Sequence, residues 1–165
     1  MKRTIFIIAI LTISVSTKSF ACNCSIPKSL QEIQDYEYEQ SDCIFVGEVF
    51  DVNSENFSFK IRVIESLKGA EIETVFIGTY DEHCGPIVTE NGLWLVYADL
   101  NSENVLDINE CGLTRSLKNP EFNTVIDGLI QKRLNKIDKE NIEKINAESR
   151  KVLELELTIL RNRMN

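Results

Sequence analysis

The chain has 165 residues, of which 43% are hydrophobic and 27% charged, which fits one domain, alone or with an appendage, and excludes a disordered or collagen-like chain. Residues 1–21 hold three of the 18 basic residues and none of the 26 acidic ones. The net charge is therefore −8 with them and −11 without them. So acidic a surface disfavours nucleic acids and anionic membranes as partners, because both are bound through Lys and Arg.

Residues 1–21 have the pattern of an export signal. Basic Lys2-Arg3 precedes an apolar run over 5–15, and small residues stand one and three positions before Cys22. The apolar run is too short to cross a bilayer. We therefore predict cleavage after Ala21, a mature chain without a transmembrane segment, and a secreted or periplasmic location. A chain lipid-anchored to the envelope through Cys22 is the alternative.

The remaining sequence divides into a strand-rich module over 22–119 and a helical tail over 120–165. Ser29, with Glu32 three residues later, is typical of a capping box and starts a predicted helix that ends at Gln40. Apolar runs and alternating patterns then predict five antiparallel strands, at 43–50, 57–64, 72–78, 93–98 and 105–108. Because closure removes exposed strand edges, we expect an all-β core, closed into a small barrel with flanking helices.

The tail carries apolar residues at helical spacing in two stretches. In the first, they are Phe122, Val125, Ile126, Leu129 and Ile130. We expect this stretch to pack on the barrel. The second, interrupted at Ser149, has apolar residues at Ile142, Ile145, Val152, Leu155 and Ile159. We expect it to extend away or to pair with another helix, and self-association as a coiled coil is a further alternative.

Five cysteines in an exported chain indicate disulfides with one thiol left over. Cys43 opens the most apolar strand and is expected to be that thiol, acting as a small buried hydrophobe. A bridge between Cys22 and Cys24 would close a strained ring. Each of these two cysteines is therefore expected to pair with Cys84 or Cys111, in either arrangement.

No pattern of catalytic residues or metal ligands stands out. The lone histidine, His83, allows few catalytic triads, and neither a phosphate-binding glycine loop nor a metalloprotease helix motif occurs. The Cys-x-Cys spacing does not fit a zinc knuckle. We therefore predict no enzyme and no cofactor, and we expect most of the acidic side chains to be solvated surface.

The order of these features resembles a known family. A Cys-x-Cys at the mature N-terminus is followed by a helix, the strand Cys43–Val49 with Gly47 inside it, then Cys84-Gly85 and finally Cys111. This combination is similar to the inhibitory domain of the tissue inhibitors of metalloproteinases, a netrin-like module. The resemblance covers about residues 22–119. It implies a five-stranded OB-fold barrel and the disulfide pairs Cys22–Cys84 and Cys24–Cys111.

The resemblance also implies a function and a partner. In that family, the amine and carbonyl of the N-terminal cysteine chelate the catalytic zinc of a metalloproteinase. Carried over, Cys22 is the chelator, Asn23 enters the specificity pocket, and Cys24 and Ser25 lie along the protease cleft. The alternative is an envelope-associated binding module without inhibitory activity.

Overall fold

A computed structural model describes residues 29–80, 87–109, 111–120 and 139–164 of the chain. Some of the predictions lie outside these residues. They are the export signal, the Cys22–Ser25 segment, His83 and Cys84, and the first apolar stretch of the tail.

The first helix, α1 (Leu30–Gln40), begins and ends as the sequence predicts. The Ser29 hydroxyl accepts a hydrogen bond from the backbone N–H of Glu32 at 3.2 Å and so caps the N-terminus. At the other end, the Ser41 N–H donates to the Glu37 carbonyl. Ile33 and Glu37 face the barrel, whereas Tyr36 is exposed.

The strands form a closed five-stranded barrel with one extra strand, so the predicted OB-fold barrel is confirmed. The strand order is β1-β2-β3-β5-β4, and pairing of β1 with β4 closes the barrel. The extra strand, β6, pairs with β4 at Trp94 and Leu95, next to the stretch that pairs with β5. The strands are β1 (Cys43–Asn53), β2 (Ser58–Lys68), β3 (Val75–Thr79), β4 (Gly92–Leu100), β5 (Leu106–Asp107) and β6 (Arg115–Ser116).

One feature of the predicted barrel is wrong, because its strands are not all antiparallel. β3 and β5 pair in parallel, with Gly78 opposite Leu106 and Thr79 opposite Asp107. Alternation along a strand predicts which side chains point inward but not which strand lies beside it. The two-residue strand β6 has no pattern of its own, and the sequence did not predict it.

Two apolar clusters lie on opposite sides of the sheet. Inside the barrel, β1 contributes Phe45 and Val49 to one cluster. On the outside, its Ile44 and Val46 pack with residues of both helices in the other. Because β1 is covered on both faces, its sequence is a continuous apolar run rather than an alternating one.

The second stretch of the tail does not extend away from the barrel; of the two expected arrangements, the structure has the pairing with another helix, since Ile33 of α1 packs in the same apolar cluster. Helix α2 (Lys139–Arg163) continues through Ser149 and packs on the outer barrel face through Leu153, Leu157 and Leu160. Leu155, on the stripe that the sequence favoured, is 61% exposed. Two apolar stripes run along this helix, and periodicity alone does not indicate which of them the barrel covers.

We expect Gly78→Ala to lower the free energy of unfolding by about 1–3 kcal/mol, the usual cost of overpacking a core. A Cβ built at Gly78 falls on the ring of Phe59 inside the barrel. Urea denaturation of the variant measures the loss. Because Phe59→Leu removes the ring, it should cost less in the Gly78→Ala background than alone, and additive losses would contradict the steric explanation.

Candidate functional site

The predicted protease-contacting residues, Cys22 to Ser25, lie outside the described residues. So does Cys84, and the pairings Cys22–Cys84 and Cys24–Cys111 therefore stay predictions. Of the two described cysteines, Cys43 is free and buried, whereas Cys111 is half-buried and disulfide-bonded.

The parallel pairing of β3 with β5 brings together the two strand ends that lead to Cys84 and Cys111. Thr79 lies beside Asp107 at the ends of these strands, and the Thr79 carbonyl accepts a hydrogen bond from the N–H of Ile108 at 3.3 Å. Parallel strands leave a sheet at the same end. Cys84 follows Thr79 by five residues and Cys111 follows Asp107 by four, so both segments start from one end of the barrel.

Buried residues fix the chain on both sides of the segment that contains Cys84. Tyr80 precedes it and Val88 follows it, and both belong to the barrel core. The Tyr80 N–H donates to the Phe57 carbonyl at 3.3 Å, and the two rings meet edge to face with centroids 5.9 Å apart. The segment therefore begins and ends at fixed points.

A side-chain hydrogen-bond network shapes the turn that carries Cys111. The Oδ1 atom of Asn109 accepts from the Cys111 N–H at 3.0 Å, and the Asn109 carbonyl accepts from the Gly112 N–H at 2.9 Å. The Nδ2 group of Asn109 donates to Oε1 of Glu37 at 3.0 Å, and the Leu113 N–H also donates to the Glu37 carboxylate. Helix α1 is thereby joined to the disulfide-bearing turn.

Glu37 is an exception to the expectation that most of the acidic side chains are solvated. It is 4% exposed, and burial raises the pKa of its carboxyl group, while the hydrogen bonds from Asn109 and Leu113 act in the opposite direction. The sequence gives no sign of its hydrogen-bond partners, because Asn109 lies 72 positions away in the chain.

A second buried carboxylate joins α2 to the barrel. Glu156 accepts hydrogen bonds from Arg115 on β6 and, at 2.7 Å, from the Tyr97 hydroxyl on β4. The side chains of Arg115 and Glu156 are each 1% exposed. Burial, followed by the Glu156 charge, raises the pKa of Tyr97. Periodicity placed polar residues such as these outside the core, so the sequence did not predict this pair.

The last turn of α2 is held to the rest of the molecule by charged side chains. Arg161 makes two hydrogen bonds to Glu65 of β2, at 2.6 and 2.7 Å. Arg163 pairs with Asp35 of α1 and lies over the Tyr38 ring, 4.6 Å from its centroid. These partners lower the pKa of Asp35 and of Glu65. The two helices therefore form one layer on the barrel.

Cys43 is the small buried hydrophobe that the sequence predicts, and we expect its thiol to be unreactive in the folded protein. Its Sγ donates to the Ala98 carbonyl at 3.6 Å. Burial, together with the charges of Asp42 and Asp99, raises its pKa to about 12. Because the thiolate is the nucleophile, iodoacetamide at pH 8 should alkylate Cys43 in denaturant but not in buffer. Alkylation at equal rates in both would show that the thiol is accessible.

The described residues contain neither a metal-ligand cluster nor a membrane-spanning helix. No group of three or more His, Cys, Asp or Glu in the described part of the chain could hold a metal ion. None of its helices is long and apolar enough to cross a membrane. No protein-family model and no curated protein matches the chain.

Proposed function

We propose that the chain is a secreted inhibitor of zinc metalloproteinases that acts through its mature N-terminus. In this proposal the α-amine and carbonyl of Cys22 chelate the zinc of the protease. Asn23 enters the pocket beside the zinc, while Cys24 and Ser25 lie along the cleft.

The observation that carries this proposal is that β3 and β5 end side by side at one end of the barrel. In an extended chain, side chains two residues apart point the same way and lie about 7 Å apart. A Cys-x-Cys segment can therefore be fixed by two anchors at one end of the barrel. Thr79 and Asp107, beside each other, start the two segments that lead to Cys84 and Cys111.

The chemistry of the mature N-terminus suits zinc. An α-amine titrates just above neutral pH, so a useful fraction is uncharged and free to donate its lone pair. A catalytic zinc keeps one coordination position open for water or substrate. A terminus fixed by two disulfides loses little conformational entropy when it binds there.

Adding one alanine before Cys22 should abolish inhibition, because it moves the free amine away from the carbonyl of Cys22. Loss of an interaction at the centre of an interface commonly weakens binding by about 100-fold. The measurement is the inhibition constant against a panel of zinc metalloproteinases, with a serine protease as the negative control. A chain with one alanine added after Asn165 is the matched control and should inhibit like the parent.

Equal inhibition by both extended chains would refute the chelation. Intact-mass spectrometry of the exported product tests the alternative function. A diacylglyceryl or triacyl addition at Cys22 would occupy the thiol, and in the triacyl form the amine as well. The chain would then be better explained as an envelope-associated binding module.

A further inference from the structure

We propose that Glu37 is a positioning residue, whose carboxylate fixes the turn that carries Cys111 and, through the Cys111 disulfide, the mature N-terminus. The step from the disulfide to the N-terminus rests on the proposed function, whereas the step from Glu37 to the disulfide does not. Glu37 lies on α1, 74 positions before Cys111, and neither the predicted site nor the zinc chelation includes it.

The carboxylate and the turn fit each other closely. Glu37 accepts hydrogen bonds from the Asn109 side chain and from the Leu113 N–H, so it contacts both ends of the turn. Gly112 lies so near that a Cβ there would be 2.6 Å from Oε2 of Glu37. A buried carboxylate persists only where donors replace its lost water, and here both of these donors belong to the disulfide-bearing turn.

Helix α1 gives Glu37 a fixed position relative to the barrel. The Lys68 ammonium group on β2 donates to the Tyr38 and Ser41 carbonyls at 2.7 and 2.6 Å, which holds the end of α1. Ile33 packs on the outer barrel face. The turn is therefore tied to a rigid layer rather than to a mobile loop.

A turn held in this conformation should favour the disulfide over the two thiols. Removing the Glu37 carboxylate frees the turn and leaves the Asn109 amide and the Leu113 N–H without their acceptor. Hydrogen bonds to charged groups correspond to roughly a 10- to 100-fold change in an equilibrium constant. We therefore expect Glu37→Ala to shift the reduction equilibrium of the Cys111 disulfide at least about tenfold towards the thiols.

Four variants of the mature chain test this inference. Glu37→Ala removes the carboxylate, and Glu37→Gln keeps one acceptor oxygen. Asn109→Ala removes the amide group of the turn that donates to Glu37. Glu39→Ala, at an exposed position of the same helix, is the matched control. Each variant is equilibrated in a series of buffers that differ in the ratio of reduced to oxidised dithiothreitol. Alkylation followed by peptide mass spectrometry then measures the reduced fraction of Cys111.

We expect a shift of about tenfold or more for Glu37→Ala and Asn109→Ala, a smaller shift for Glu37→Gln, and none for Glu39→Ala. An unchanged equilibrium in Glu37→Ala would overturn the inference. If that variant fails to fold, an unchanged equilibrium in Asn109→Ala overturns it equally.

The inhibition constants of the same variants separate this inference from the proposed function. If the parent chain inhibits and the shifted variants inhibit less, both steps of the inference are supported. If the disulfide shifts while the parent chain inhibits no metalloproteinase, the proposed function fails but the first step stands. If the parent inhibits and the shifted variants inhibit equally well, the step from the disulfide to the N-terminus is refuted.

Discussion

Replacing Glu156 with alanine is expected to lower the free energy of unfolding by about 3–5 kcal/mol, the usual cost of removing one partner of a buried ion pair. The variant leaves the Arg115 guanidinium charged, 1% exposed and without its counterion. Two of the Arg115 nitrogens, Nε and Nη1, already have no hydrogen-bond partner among the described residues. Without Glu156, Nη2 of Arg115 and the Tyr97 hydroxyl also lose the carboxylate to which they donate hydrogen bonds.

The measurement is urea denaturation of Glu156→Ala beside Glu154→Ala, an exposed glutamate on the same helix. The control should stay within about 0.5 kcal/mol of the parent chain. A double variant, Arg115→Met with Glu156→Leu, should be more stable than Glu156→Ala because no buried charge remains unpaired. A cost below about 1 kcal/mol for Glu156→Ala would mean that water reaches the pair, as in surface ion pairs.

The barrel could be predicted because its signals are local. In β2, Phe59, Ile61 and Val63 alternate with exposed residues, and the structure buries these three inside the barrel. The helix start at Ser29 likewise follows from a hydroxyl that caps its own helix. Each of these signals is decided by residues within a few positions of one another.

The rest of the site depends on contacts between residues far apart in the chain. Glu37 and Asn109 are 72 positions apart, and Arg115 and Glu156 are 41 apart. A glutamate that pairs at such a distance has the same local pattern as one that is solvated. The apolar stripe of α2 was misassigned for a related reason, since its buried side includes Ser149 and Glu156, which no scale of hydrophobicity places in a core.

Removing Cys111 is expected to lower the free energy of unfolding by about 2–5 kcal/mol, because its disulfide no longer restricts the unfolded chain. The predicted partner, Cys24, lies 87 positions away, a separation for which the chain-entropy model gives more than 4 kcal/mol. Cys43→Ala is the matched control, since this cysteine is free. It should cost at most about 1.5 kcal/mol, as for a small truncation in a core.

A double-variant cycle then identifies the partner. If Cys24 and Cys111 are bonded, Cys24→Ala and Cys111→Ala should destabilise the chain equally. The double variant should then lose no more stability than either single one, because the same disulfide is missing in all three. If Cys22 pairs with Cys111 instead, Cys24→Ala and Cys111→Ala break different disulfides, and the double variant should cost about as much as the two together.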